Sequence, residues 1–120
     1  MIDRIAALAA VLITAVTAPA QAGGAHQFSG VAAYYDTHYH GRTANGSRYN
    51  PSLLTAAHRS LPFGTRLRVT ELRSGRSVDV IVNDRGPFNR GRVLDLSLAA
   101  AKQLGMIKRG LVRVTATILH

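Results

Sequence analysis

The sequence predicts a small all-β barrel with one short helix. Three observations predict it. Short runs alternate apolar and polar residues, Gly, Pro and Asn punctuate them, and a single helical signal stands near the C-terminal end. The chain has 120 residues and reads as one domain behind a leader.

The leader is residues 1–22, a secretory signal peptide. Arg4 supplies the positive end beside Asp3, residues 5–16 form an apolar run, and Pro19-Ala20-Gln21-Ala22 gives the small-x-small cleavage pattern. The apolar run is shorter than the roughly 20 residues of a spanning helix, which favours cleavage over a retained anchor. Residues 23–120 then form the domain, expected to be a soluble monomer in a periplasm or outside the cell, with no stable membrane anchor after cleavage.

Cysteine is absent. An exported domain of this size must then be held by packing rather than disulfides, and thiol catalysis, Cys-zinc sites and a lipid-modified cysteine are excluded. The formal charge is +9, and because Asp3 and Arg4 cancel, it stays with the domain. Such a surplus favours an anionic partner. Export argues against nucleic acid, leaving anionic wall polymers and membrane surfaces.

Each element follows from local pattern. Residues 28–35 are apolar with β-prone Val and Tyr, so they read as the first strand. Residues 38–51 are polar and rich in turn formers, a long loop. Residues 53–57 suit either a short buried strand or one helical turn. Leu61-Pro62-Phe63-Gly64 is a turn. Residues 66–70 alternate as a half-buried strand should, and Ser74-Gly75 marks a hairpin. Val78, Val80 and Val82 share one face of the next strand, with Asp79 and Ile81 on the other. Residues 92–96 form a further strand. Ser97 is a good N-cap for a helix over 98–104, and Gly105 a good stop. Val112, Val114, Ala116 and Ile118 alternate in the closing strand.

Five carboxylates fall in the domain: Asp36, Glu71, Asp79, Asp84 and Asp95. Glu71 is expected on a solvated hairpin edge. Asp79 is expected to face out or pair with an arginine. Asp95, two residues before Ser97, is expected to satisfy free backbone amides at the strand-to-helix corner. Asp84 is the candidate for chemistry. It ends an apolar alternating stretch and precedes a Gly-Pro turn, where a side chain is held rigidly yet stays reachable. Arg85 and Arg90 stand ready nearby for an anionic or polyhydroxyl ligand. His58 can orient a carboxylate, shuttle a proton or simply cap a strand end. Asp36, His38 and His40 have a spacing that suits a metal, but no fourth ligand accompanies them, so no metal is expected.

Four motifs occur in order: Gly41-Arg42-Thr43-Ala44-Asn45-Gly46, then residues 54–65 (LTAAHRSLPFGT), then Val82-Asn83-Asp84-Arg85-Gly86-Pro87-Phe88, then Val93-Leu94-Asp95-Leu96-Ser97. In order and spacing they resemble the rare lipoprotein A (RlpA) family of lytic transglycosylases, over nearly all of the domain. The resemblance implies a six-stranded double-psi β-barrel, with no cofactor, acting on peptidoglycan glycan strands stripped of stem peptides. It places the catalytic Asp on Asp84 and the active-site His on His58; Asn83, Arg85, Thr43, Asn45 and Tyr35 are expected to bind substrate.

The implied chemistry suits one carboxylate. Ordinary glycoside hydrolysis uses two. A lytic transglycosylase uses the sugar's own C6 hydroxyl as nucleophile, so one residue serves as acid and then as base. Many relatives carry Glu directly after Thr-Ala-Asn-Gly, where this chain has Ser47. That departure favours the other reading, a non-catalytic wall-binding or wall-loosening module like the expansin barrels.

Overall fold

The structure is a computed structural model, and it describes residues 26–120. The predicted signal segment 1–22 lies outside the described residues. Six strands and one helix follow in the order β1 (Gln27–Tyr34), β2 (Thr55–Ala57), β3 (Arg66–Glu71), β4 (Ser77–Asp84), β5 (Arg92–Leu96), α1 (Leu98–Leu104) and β6 (Val112–Leu119). Of the undecided 53–57 segment, residues 55–57 form a strand; the small Ala56 and Ala57 fit where β2 is wedged between two neighbours.

The strands close into a barrel in the order β1-β5-β2-β4-β3-β6. Two pairs are parallel, β1 with β5 and β2 with β4, and the rest are antiparallel. Closure leaves no edge strand exposed for unwanted pairing. The alternation read in the sequence is the inside–outside alternation of the barrel. Val78, Val80 and Val82 are buried while Asp79 and Ile81 face out. Leu67, Val69, Leu94, Leu96, Val114 and Ala116 complete the interior. With no disulfide, this packing carries the fold.

Helix α1 covers part of that core. Ser97 Oγ accepts from Ala100 N at 3.2 Å, and Gly105 ends the helix in the left-handed region at φ 69°. Ala100, Ala101 and Leu104 are buried, and the helix packs on β4 and β5.

Two expectations for the carboxylates are corrected. Glu71 is not solvated: it is 1% exposed. Arg109 folds over it from the loop before β6, donating Nη1 to Oε2 and Nη2 to Oε1, and Ser74 Oγ adds a 2.7 Å hydrogen bond. The Arg109 guanidinium, then Ser74, hold this carboxyl below its ordinary range. Asp95 does not serve the strand-to-helix corner. Ser97 does so, accepting also from Thr55 N at 3.3 Å, and among the described residues Asp95 makes no side-chain hydrogen bond. Asp79 faces out and pairs with Arg68, as expected, at 2.9 and 3.0 Å.

Candidate active site

Asp84 owes its position to a β-bulge. β2 and β4 pair in register as Ala56 with Val82 and then Ala57 with Asp84, so Asn83 is an extra residue without a partner. Strict alternation after the inward Val82 would turn Asp84 inward again. The extra residue re-aims it to the outer face, as bulges beside functional sites often do. Asn83 itself is half-buried, and its Oδ1 is buried without a hydrogen-bond partner among the described residues.

Three donors then fix the half-buried Asp84 carboxyl. Oδ1 accepts from Ala44 N at 2.7 Å and from Arg85 N at 2.9 Å. Oδ2 accepts from the Tyr35 hydroxyl. The Ala44 amide is delivered by the Thr43–Ser47 turn. Gly46, at φ 96°, lets that turn close, and Asn45 Oδ1 gathers the Thr43 hydroxyl (2.5 Å), the Ser47 hydroxyl (2.7 Å) and the Ser47 amide (3.1 Å). Asn45 N also donates to Asn83 O at 3.2 Å, tying the turn to the bulge. Thr43 is buried with its hydroxyl turned into the loop, whereas Asn45 is exposed. Ser47 therefore serves the turn and makes no hydrogen bond to Asp84.

Tyr35 continues just past β1, its amide held by Leu96 O at 3.0 Å. Its ring stacks on Tyr49 at 4.4 Å, with Tyr39 tilted against it at 5.4 Å. Burial first, then its hydrogen bond to Asp84, push the Tyr35 phenol well above its ordinary value, so it remains a donor.

His58 reaches Asp84 through its backbone, not its ring. His58 N donates to Asp84 O at 3.1 Å. Its Nδ1 accepts from Ser60 N and Leu61 N, both at 3.0 Å, and the ring lies edge-on to Phe28 at 5.0 Å. Two amides on Nδ1 fix a neutral ring with the proton on Nε2. Burial, then Arg59 and Arg85, push its pKa down in the same sense. The Arg85 guanidinium turns toward the same loop, donating to Leu61 O (2.9 Å) and His58 O (3.2 Å) and covering the Phe63 ring at 4.0 Å.

A second carboxylate faces this site. Ala57 pairs with Asp84 on one side and with Asp95 on the other. Register partners share a face, so the two acids flank the Ala57 methyl, their Cα atoms roughly 10 Å apart at the usual strand spacing. Burial first, and then the Asp84 charge, raise the Asp95 pKa against the opposing pull of Arg92. Asp36 and His38 pair with each other in an exposed loop, His38 N donating to Asp36 Oδ1 at 2.7 Å. No group of three metal-ligating side chains occurs among the described residues.

Residues 27–116 match the model of one protein family, described as lytic transglycolase. The chain belongs to the lytic transglycolase family. The closed six-stranded barrel is its double-psi β-barrel. Among curated relatives, the probable endolytic peptidoglycan transglycosylase RlpA of a Nostoc species is 58% identical over 95 residues, 77% of this chain and 26% of its own length. The endolytic peptidoglycan transglycosylase RlpA of Pseudomonas aeruginosa is 52% identical over 91 residues, 75% of this chain and 27% of its own. The chain thus spans about a quarter of the length of these relatives. Among solved structures, a Streptomyces papain inhibitor superposes with a TM-score of 0.63 at 26% identity, covering 78% of this chain and 94% of the inhibitor. A Clavibacter michiganensis expansin superposes with a TM-score of 0.62 at 23% identity, covering 78% of this chain and 50% of the expansin, a likeness of fold alone.

Within this lytic transglycolase domain, three features of the candidate site were not legible in the sequence. Tyr39 and Tyr49 lay in what read as a polar loop. The Ala44 amide carries no side-chain signal. Asp95 had one available clue, the position of a short acid on the outward phase of a strand whose Leu94 and Leu96 are inward.

Proposed function

We propose that the barrel is an exported lytic transglycosylase that cleaves peptide-poor peptidoglycan glycan strands, with Asp84 as acid and then base. The observation that carries this is the bonding of Asp84. Both backbone amides donate to Oδ1, so Oδ2, shared with Tyr35, is the oxygen left to hold a transferable proton. Asp84 gives that proton to the glycosidic oxygen as the C1–O bond breaks. The C6 hydroxyl of the same sugar then closes on C1, and its proton returns to Asp84. A 1,6-anhydro sugar forms, no water is consumed and the acid is regenerated.

The other residues position the acid or the sugar. Tyr35 orients Oδ2, and the Thr43-Asn45 turn with Asn83 presents the Ala44 amide. His58 and Arg85 fix the 58–63 loop, with Arg85 at its edge as a contact for the substrate. Asp95, across Ala57, accepts hydrogen bonds from the sugar lying between the two acids. Action outside the cytoplasm follows from removal of residues 1–22, and the barrel works as a monomer.

The test uses purified, peptide-stripped glycan strands with mass spectrometry of the products. Wild type is expected to release anhydro-ended fragments, and Asp84→Asn to lose at least the roughly hundredfold that a positioned acid–base group contributes. Full activity in Asp84→Asn, or none in wild type, would overturn the assignment; the latter would favour the non-catalytic wall-binding module.

A further inference from the structure

The cations of this barrel are not spread evenly. Around the β3–β4 hairpin and the C-terminal end of α1 gather Arg73, Arg76, Lys102, Lys108, Arg109 and Arg113. The one carboxylate lining these cavities is Glu71, which is buried and already neutralised by Arg109. Among the described residues, the other five cations make no ion pair. Two neighbouring concavities share Arg73 and Arg109. One, of about 750 Å³, is lined also by Lys102 and Lys108. The other, of about 440 Å³, is lined also by Leu72, Leu111 and Arg113.

The two leucines decide what fits. Leu72 is 56% and Leu111 48% exposed. They stand on adjoining strand ends, where Leu72 N donates to Arg113 O at 3.0 Å. A sugar or phosphate polymer would use the cations and gain nothing from exposed leucines. Apolar side chains ringed by Lys and Arg match a lipid surface, where cations meet headgroup phosphates and leucines enter the acyl boundary. We propose that this end of the barrel docks reversibly on an anionic phospholipid bilayer. The hairpin lies at the opposite end of β4 from Asp84, roughly 23 Å away at the usual rise of a strand. Leu111 also borders a concavity lined by Tyr35 and Asp36, so on the β1 side the docked face reaches the rim of the candidate site, whereas the hairpin itself stands away from it. The proposal stands apart from the glycan chemistry, because it requires no substrate.

The sequence contains no tryptophan, so a single introduced one reports only its own surroundings. The full chain carrying Leu111→Trp is mixed with phosphatidylglycerol or phosphatidylcholine vesicles, with Leu72→Trp as a second probe. Phe88→Trp, at the 76% exposed position beyond Asp84, is the control. Residues 1–22 are common to all variants and cannot create a difference between them. Emission from positions 111 and 72 is expected to shift to the blue on phosphatidylglycerol alone, and emission from position 88 to stay water-like. Combined Arg73→Gln, Lys108→Gln and Arg113→Gln should weaken vesicle partitioning roughly hundredfold with the circular dichroism unchanged. Arg109 is left intact because it neutralises Glu71. Water-like emission at both probes, or an equal shift at position 88, would overturn the proposal. So would wild type that binds soluble polyphosphate but not vesicles, the behaviour of a polymer site.

Discussion

At the scale of single residues, the two oxygens of Asp84 have different partners. Oδ1 accepts two amides that can only donate, and Oδ2 meets a hydroxyl that can donate or accept. Tyr35→Phe removes that hydroxyl and keeps the ring stacked on Tyr49. Turnover is expected to fall roughly tenfold to a hundredfold, the worth of a hydrogen bond to a charged group, with the melting temperature little changed. Asp95 behaves in the opposite sense toward stability. Its pKa is raised in the fold, so its charge opposes folding above the ordinary value of 3.8, and the penalty disappears as pH falls below that value. Asp95→Asn is therefore expected to raise the denaturation midpoint near neutral pH while lowering turnover, and to leave the midpoint unchanged in strong acid. The sequence made Asp84 legible through its turn context. It could not make Asp95 legible as a partner, because what joins the acids is Ala57, contributed by a strand of only three residues whose pairing is entirely long-range.

At the scale of elements, alternation fixed nearly every strand, since a barrel with a packed interior imposes a period of two on each one. Cap chemistry fixed α1 to the residue. The pattern could not show the bulge at Asn83, which breaks the alternation immediately before Asp84. Burial of Glu71 was hidden for a related reason. Its partner is 38 residues away, in a loop whose path no local signal dictates. Close approach between strands gives a test of packing. A Cβ on Gly30 would lie 2.5 Å from Val93 Cγ1, where β1 runs beside β5. Gly30→Ala is expected to cost about 1–3 kcal/mol in chemical denaturation, the usual range for overpacking. Val93→Ala introduced with it should recover part of that loss, although Val93→Ala alone is destabilising.

At the scale of the whole molecule, charge and chemistry are divided. Acids Asp84 and Asp95 share one outer face, while six cations gather around the β3–β4 hairpin, the end of α1 and the start of β6. Net charge was legible from composition, but this division was not, because its members are scattered from residue 73 to residue 113. The presence of two carboxylates on one face also sharpens the central question. A lone acid suits the internal closure by the C6 hydroxyl, whereas two acids with water between them are the usual arrangement for hydrolysis. The direct measurement is cleavage of peptide-stripped glycan in heavy-oxygen water, with product masses read for wild type. Transglycosylation by Asp84 predicts anhydro ends that carry no solvent oxygen. Reducing ends that have gained heavy oxygen would contradict it and assign the pair Asp84 and Asp95 to hydrolysis.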